Sequence, residues 1–200
     1  MRHFTWLGQA RQLTERLALL FSLLLCAAGT AAAAPEVAAA AWGQLQPGSI
    51  LLIRHANAPG IGDPDGFKLN DCASQRNLDD SGRAQARRIG EQLRRHGVTV
   101  SAVLTSQWCR ARDTAALAFP GLVRDDASFN SFFEASALEA AQTATALATL
   151  SAWRGPGVLV VVSHQVNITA LTGIYPASGE GVVLRPKPGG VEVLNRLRFD

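Results

Sequence analysis

The sequence is poor in cysteine and has little excess charge, and it lacks any cluster of residues with the spacing of metal ligands. We therefore expect no metal or other cofactor in this chain of 200 residues with three cysteines. The formal net charge is +3, and Arg2, Arg11 and Arg16 against Glu15 place most of this excess before residue 35. The nearly neutral remainder gives no electrostatic reason to expect nucleic acid as a partner. A hydrophobic content of 48% excludes a disordered chain.

The first 34 residues have the layout of an export signal. A basic segment precedes an apolar run over residues 17–28, and small residues over 29–34 suit a cleavage site. The run is short for a spanning helix, so we predict a cleaved signal peptide over 1–34 and a periplasmic protein. An uncleaved anchor is the alternative, and it would then be the chain's contact with the membrane. Residues 35–48 are predicted to be a linker or loose arm, and 49–200 the folded domain.

Two cysteines remain once the leader, which contains Cys26, is set aside. An even number of cysteines in an exported chain suggests a disulfide between Cys72 and Cys109. Such a bridge would stabilise the fold by about 4 kcal/mol in the chain-entropy description. Two buried free thiols are the alternative.

Two short apolar runs each end at a histidine. Residues 50–53 are Ile-Leu-Leu-Ile and precede Arg54 and His55, whereas residues 158–162 are Val-Leu-Val-Val-Val and lead, after one serine, to His164. Runs of this kind are typical of buried strands in a covered sheet. Open α/β sheets bind ligands at the carboxyl ends of their strands, so both histidines are candidates for a site. A histidine with its hydrogen bonds satisfied at a strand end is the alternative.

The segments between these strands predict helices, a further strand and a loop beside the site. Residues 79–95 have the capping residues and apolar spacing of a helix, and a strand over 98–105 leads into a second helix. Arg110 falls in the first turn of that second helix, where the dipole does not favour a cation. An anion bound at the same helix end explains this arginine; a surface arginine is the alternative. The loop over 57–72 is rich in Gly, Pro and Asp and directly follows a strand end.

The rest of the chain continues the alternation of helix and strand. Helices are expected over 138–150 and 166–171, and strands over 181–184 and 191–199. Taken together, two histidines and two arginines at strand and helix ends predict a pocket for a doubly charged oxyanion. Arginine binds phosphate in a bidentate manner and stays charged, and a neutral imidazole can act as a nucleophile. Phosphoryl transfer needs this kind of positioning and charge neutralisation.

Three motifs in this order resemble the histidine phosphatase superfamily, branch 1, with its phosphoglycerate-mutase-like fold. They are Leu-Ile-Arg-His-Ala over 52–56, Thr-Ser-Gln-Trp-Cys-Arg-Ala-Arg-Asp-Thr-Ala over 105–115 and Val-Val-Ser-His over 161–164. The helix start over 77–86 also fits the family pattern. The resemblance implies a three-layer α/β/α sandwich with a mostly parallel central sheet.

The resemblance also implies roles for individual residues. His55 would be the nucleophile that becomes phosphohistidine, Arg54 and Arg110 would hold the phosphoryl oxygens, and His164 would stabilise the transferring group. Asn57 is expected to reach the phosphate as well. The chain has Ala56 and Asn57 where many members have glycine and a carboxylate, which weakens the case for the mutase branch.

The acid that protonates the leaving oxygen is assigned by position alone. The family places a carboxylic acid after its second helix, and Glu134 stands at that position. Asp65, Asp71 and Glu180 are rivals from loops near the site. A general acid needs a raised pKa, which a sequence does not reveal.

The function expected from these features is metal-independent hydrolysis of phosphomonoesters in the periplasm. The substrate would be a phosphorylated small molecule or glycan, including lipopolysaccharide core sugars, because exported relatives acting on phosphorylated heptose have a similar leader. A phosphoglycerate-mutase-type phosphotransferase is one alternative, although export would remove its sugar-phosphate pool. A phosphate-binding module that has lost its catalytic step is the other.

Overall fold

A computed structural model describes residues 40–199, so the leader predicted over residues 1–34 lies outside the described residues. The regular elements are, in chain order, β1 (Ile50–Arg54), α1 (Asp80–Arg95), β2 (Val100–Thr105), α2 (Cys109–Ala118), β3 (Val123–Asp125), α3 (Glu139–Ser151), β4 (Val158–Ser163), α4 (Gln165–Thr172), β5 (Gly181–Lys187) and β6 (Gly190–Leu197). Short 3-10 helices occupy Cys72–Ser74, Ala127–Phe129 and Ser136–Leu138. Most of these elements agree with the sequence analysis to within a few residues.

The six strands form one sheet in the order β3-β2-β4-β1-β5-β6. The pairs β1–β4, β4–β2 and β2–β3 are parallel, whereas β1–β5 and β5–β6 are antiparallel. The sequence analysis missed β3, because Val-Arg-Asp is too short and too polar to form an apolar run. Because β1, β2 and β4 are parallel to one another, their carboxyl ends share one edge of the sheet.

Helices cover the sheet on both faces. Alternate residues of β1 point to opposite sides, so Leu51 and Ile53 pack with α1 and α2, while Ile50 and Leu52 pack with α3 and α4. Both β1 and β4 are buried throughout their apolar runs, as expected for strands with helices on both faces. The predicted three-layer α/β/α sandwich with a mostly parallel sheet is confirmed.

Helix α1 packs tightly because two of its residues have no side chain. A Cβ atom on Gly90 would lie 2.1 Å from the carbonyl oxygen of Ala118, and one on Gly82 would lie 2.0 Å from that of Asn57. The Asp79 side chain caps the helix by accepting from the Gly82 N–H at 2.7 Å. These contacts bring the start of α1 against the chain that leaves β1, close to His55.

Residues 40–48 pack on the domain, although the sequence analysis assigned them to a linker or loose arm. Ala41 and Leu45 are buried in the apolar core beside α1, and Trp42 stacks on His96 with ring centroids 3.8 Å apart. The sequence analysis did not predict this packing. An Ala-rich segment shows the regular apolar spacing of a packed element less clearly than a segment with larger apolar residues does. The folded unit therefore begins before residue 49. Across residues 40–199, the helices are too short or too polar to cross a membrane.

Candidate active site

The register between β1 and β4 brings the two strand-end histidines together. Arg54 pairs with Ser163 across the parallel ladder, and the His55 N–H donates to the Ser163 carbonyl at 2.9 Å. The next residue on each strand is therefore a histidine at the same level of the sheet. The two imidazole rings have centroids 5.4 Å apart, and both residues are almost completely buried, with exposures of 2% and 3%.

Strand β2 brings the third motif to the same edge. The Ser106 N–H donates to the Val162 carbonyl at 3.0 Å, so the turn into α2 lies beside the end of β4. The Ser106 hydroxyl forms a 2.8 Å hydrogen bond with Nε2 of His164, which orients that ring. Arg110 is the second residue of α2 and is only 3% exposed. Three elements far apart in sequence thus position Arg54, His55, Arg110 and His164 around one cavity.

The hydrogen bonds of His55 define which nitrogen can react. Nδ1 lies 2.8 Å from the Ala56 carbonyl oxygen, and because a carbonyl only accepts, Nδ1 is the protonated nitrogen. Nε2 then has the lone pair. Burial, together with the positive charges of Arg110, Arg54 and Arg76, lowers the pKa of His55 to about 3. The imidazole is therefore neutral at physiological pH and available as a nucleophile.

His164 is also neutral, for similar reasons. Its burial is the main cause of a pKa well below the usual value for histidine, and His55 and Arg110 act in the same direction. A neutral imidazole held by Ser106 offers a hydrogen bond of fixed direction. The indole of Trp108 packs edge-on against this ring with centroids 5.5 Å apart.

A buried carboxylate that the sequence analysis did not consider holds Arg110. Nη1 of Arg110 donates to both carboxylate oxygens of Asp63, at 2.8 and 3.0 Å, and the two side chains are 4% and 5% exposed. Asp63 also accepts from the Trp108 indole N–H at 3.0 Å and from the Arg76 backbone N–H at 3.0 Å. Burial raises the pKa of Asp63, but the hydrogen bonds from Arg110 and Arg76 outweigh this effect and leave the pKa lowered. Asp63 thus stays ionised and positions Arg110.

Two further guanidinium groups line the cavity. Arg54 donates from Nη1 to the Pro176 carbonyl at 3.0 Å, whereas Arg76 donates from Nε to the Gly62 carbonyl at 2.7 Å. Burial and the nearby charge of Arg110 lower the pKa of both groups. Nε of Arg54 and of Arg110 is buried without a hydrogen-bond partner among the described residues. Three cations with one buried anion among them leave an excess of positive charge that favours a dianion.

The cavity has a volume of about 420 Å³, and Glu134 lies on its wall. The Glu134 side chain is exposed, and its Oε1 accepts from the Asp63 N–H at 3.1 Å. The rival acids are elsewhere: Glu180 accepts from Arg196 at 2.6 and 2.9 Å, and Asp71 caps a 3-10 helix. None of the three rival acids, Asp65, Asp71 and Glu180, lines this cavity.

The structure does not bring Asn57 to the cavity. Its side-chain amide donates to Asp79 at 3.1 Å and to Ser81 at 3.2 Å, beside the start of α1. Its backbone N–H donates to the Gln85 side chain at 2.9 Å. After His55 the chain turns towards α1, so Asn57 stabilises the capping group of that helix instead of facing a phosphate.

The predicted pair of cysteines forms a disulfide in the structure, with 5.6 Å between the Cα atoms of Cys72 and Cys109. Cys109 is the first residue of α2 and directly precedes Arg110. Gln75, three residues after Cys72, accepts from the Cys109 N–H at 2.9 Å. The loop between β1 and α1 is thus joined to the helix that carries Arg110.

Sequence reasoning missed three residues of the site, namely Asp63, Arg76 and Trp108. The Gly-, Pro- and Asp-rich composition indicated that the loop serves the site, but not which of its side chains do so. Trp108 lies inside a recognised motif, and its apolar ring gave no reason to assign it a hydrogen bond. Among residues 40–199 there is no group of three or more His, Cys, Asp or Glu side chains that could hold a metal ion.

The fold and the site define a class of protein, an α/β enzyme of the phosphatase type. The sequence model of the histidine phosphatase superfamily (branch 1) matches residues 50–127. This range contains His55, Asp63, Arg76 and Arg110. Among curated protein sequences no significant match was found.

Solved structures share the fold at low sequence identity. The protein histidine phosphatase SixA, complexed with tungstate, has a TM-score of 0.51 and 16% identity over 74% of this chain and 96% of that chain. The phosphoserine phosphatase of Entamoeba histolytica, complexed with 3-phosphoglyceric acid, has a TM-score of 0.53 and 15% identity over 75% and 96%. A mycobacterial hydrolase has a TM-score of 0.54 and 16% identity over 78% and 93%. The chain is thus similar to the histidine phosphatase superfamily, branch 1, in the sequence of residues 50–127, and it shares its fold with these solved structures.

Proposed function

We propose that this protein hydrolyses phosphomonoesters through a phosphohistidine intermediate on His55. The observation that carries the proposal is a neutral imidazole, with Nδ1–H bound to a backbone carbonyl, in one cavity with three guanidinium groups and His164. The cations bind and orient the dianionic phosphoryl group, and the lone pair on Nε2 of His55 provides the nucleophile. The solved relatives complexed with tungstate and with a phosphorylated acid support a phosphorylated small molecule as the ligand.

In the first step, Nε2 of His55 forms a bond to phosphorus while the ester P–O bond breaks. Arg54, Arg76 and Arg110 neutralise the charge on the phosphoryl oxygens, and His164 donates a hydrogen bond to the same group. The Ala56 carbonyl accepts from Nδ1–H and stabilises the positive charge that the phosphorylated ring acquires. In the second step, water attacks phosphorus, the N–P bond breaks, and inorganic phosphate leaves.

We assign the proton transfers to Glu134. Its carboxylic acid would protonate the departing ester oxygen and its carboxylate would take the proton from water in the second step. The position on the cavity wall and the hydrogen bond from the Asp63 N–H support this assignment. Asp63 itself is unsuited, because its lowered pKa keeps it ionised.

We also propose that the protein works in the periplasm. The layout of the leader is one support, and the disulfide between Cys72 and Cys109 is another, because such bridges persist in oxidising compartments. Phosphomonoesters outside the inner membrane, with phosphorylated glycans and lipopolysaccharide core sugars among them, would then be the pool that contains its substrate. Fractionation of a cell that expresses the full chain tests this proposal, and a signal confined to the cytoplasm would contradict it.

The reaction is tested with 4-nitrophenyl phosphate, comparing wild type with His55→Ala. We expect His55→Ala to abolish turnover and His96→Ala, a variant of an exposed histidine outside the cavity, to retain it. Rapid quenching should trap phosphate on the wild-type chain in an acid-labile, base-stable form. Activity should persist in EDTA, because the nucleophile is an imidazole. Equal rates for wild type and His55→Ala would refute the proposed function.

A further inference from the structure

Exposed apolar side chains are concentrated at the mouth of the active-site cavity. Six large hydrophobic side chains are exposed among the described residues, and four of them line this cavity. The four are Ile61, Phe133, Leu138 and Tyr175, with exposures of 90%, 55%, 54% and 68%. The other two, Leu122 and Val193, lie elsewhere. Clustered apolar exposure of this kind marks a binding surface.

The four residues come from separate parts of the chain. Ile61 belongs to the loop between β1 and α1, Phe133 and Leu138 precede α3, and Tyr175 follows α4. Because the four residues lie on separate segments, no single amphipathic element brings them together, and the tertiary fold assembles them. We call these four residues the apolar rim.

Aromatic rings extend this apolar surface from the rim towards the catalytic groups. Phe67 and Trp108 also line the cavity, and their ring centroids lie 5.6 Å apart. Trp108 in turn packs against His164 at 5.5 Å. A ligand whose phosphoryl group lies beside His55 and His164 would therefore have aromatic surface next to its ester oxygen.

The two ends of the cavity differ in both burial and charge. His55, Arg110 and His164 are at most 3% exposed, whereas each residue of the apolar rim is more than half exposed. The inner end thus suits a dianion and the outer end suits apolar surface. A volume of about 420 Å³ falls in the range of small-molecule sites and exceeds what a phosphoryl group alone would occupy.

We propose that the substrate is an amphiphilic phosphomonoester, whose alcohol part carries an alkyl or aromatic group that contacts the apolar rim. This inference rests on the proposed function and specifies its substrate class. A sugar would place hydroxyl groups against Ile61 and Phe133, where they lose hydrogen bonds to water. Apart from the groups around the phosphoryl position, the polar side chains that line the cavity are those of Ser131, Glu134, Gln165 and Tyr175. The Gln165 amide already donates to Thr169 at 2.9 Å.

The test compares two monoesters of primary alcohols, so that the leaving groups differ little in reactivity. We expect kcat/KM for hexyl phosphate to exceed that for a hexose 6-phosphate by about 30- to 100-fold, from burial of a few methylene groups. Lengthening the alkyl chain from ethyl to hexyl should raise kcat/KM by up to about fourfold per methylene. Phosphatidic acid in phosphatidylcholine vesicles serves as a further substrate. Hydrolysis of phosphatidic acid would identify the amphiphilic substrate as a lipid. If the enzyme hydrolyses hexyl phosphate but not phosphatidic acid, the substrate is a soluble ester.

Variants of the rim locate the preference. Ile61→Ser and Phe133→Ser should each lower kcat/KM for hexyl phosphate by about tenfold and change that for the hexose 6-phosphate less than about twofold. Leu122→Ser and Val193→Ser, matched exposed residues away from the cavity, should leave both values unchanged. A preference for the sugar ester, or equal effects of the rim variants on both esters, would overturn the inference. Absence of turnover with every ester, 4-nitrophenyl phosphate included, would instead refute the proposed function.

Discussion

One wall of the cavity consists of strand ends, and another consists of the loop between β1 and α1. The strand-end wall contributes Arg54, His55 and His164, whose backbone positions follow from the β1–β4 ladder. The loop wall contributes Asp63 and Arg76, and it has no ladder. Its position depends on side-chain contacts, namely the ion pair between Asp63 and Arg110, the Arg76 hydrogen bonds to backbone carbonyls, and a disulfide.

The difference shows how one site combines two kinds of support. Backbone hydrogen bonds of a buried sheet fix the main-chain positions of both histidines, and the Ser106 hydroxyl orients the His164 ring. The loop wall carries the residues that orient Arg110 and contribute Arg76, and each of its supports can be removed by a single substitution. We therefore expect substitutions in the loop wall to separate stability and positioning from the chemistry of the strand-end wall.

Removing the disulfide should have the largest effect on the loop wall. It closes a sequence separation of 37 residues, so Cys72→Ser with Cys109→Ser should lower the free energy of unfolding by about 4 kcal/mol. The kcat/KM of the folded fraction should fall much less, because the histidines are held by the sheet. Urea unfolding, with reduced wild type as the control, measures the first effect. Unchanged stability would mean that the other contacts suffice to hold the loop.

Arg110 connects the two walls, and its removal should give the next largest effect. Arg110→Ala should lower kcat/KM by about 100- to 1000-fold, or about 3–4 kcal/mol, the scale of a lost charge-assisted donor in a transition state. It also leaves the Asp63 carboxylate buried without its main partner, so stability should fall. Arg112→Ala is the matched control, because Arg112 is partly exposed and pairs with Asp125. Comparable losses for both variants would contradict a specific role for Arg110.

The strand-end wall should be distinguished by its response to acid. The folded pKa of His55 is about 3, below about 6.5 in the unfolded chain, so the unfolded state binds more protons between these values. Stability contributed by neutral His55 is present above pH 6.5 and is lost as the pH falls towards 3. When the pH is lowered from 7 to 4.5, the free energy of unfolding of His55→Gln should therefore fall by about 2 kcal/mol less than that of wild type. Equal losses in urea unfolding would show that His55 titrates normally.

The smallest expected effect concerns Glu134, which contacts the loop wall at the Asp63 N–H. Glu134→Gln should lower kcat/KM for ethyl phosphate by about tenfold and that for 4-nitrophenyl phosphate by less than about twofold, because a good leaving group needs little protonation. Glu139→Gln, on the exposed start of α3, is the control. Equal losses with both esters would place the general acid at another residue.

Much of the fold could be predicted from the sequence because it rests on short-range patterns. Apolar runs over 50–53 and 158–162 identify buried strands. Asp79 marks the start of helix α1 and Gly97 marks its end. Composition could not reveal β3, which has no apolar run, nor the packing of residues 40–48, which depends on Trp42 and His96 meeting across the fold. The resemblance to the family predicts Asn57 at the phosphate, but the turn towards α1 directs its side chain to Asp79.

The sequence by itself determined that two strands end in histidine, that Arg110 lies at a helix start, and that Cys72 and Cys109 remain for pairing, because each of these depends only on local order along the chain. The tertiary structure alone decided that Asp63 neutralises and orients Arg110, that Arg76 lines the cavity, and that four exposed apolar side chains meet at its mouth. Contacts of this second kind join an irregular loop to distant elements. Their geometry follows from long-range packing, and no periodicity in the sequence encodes it.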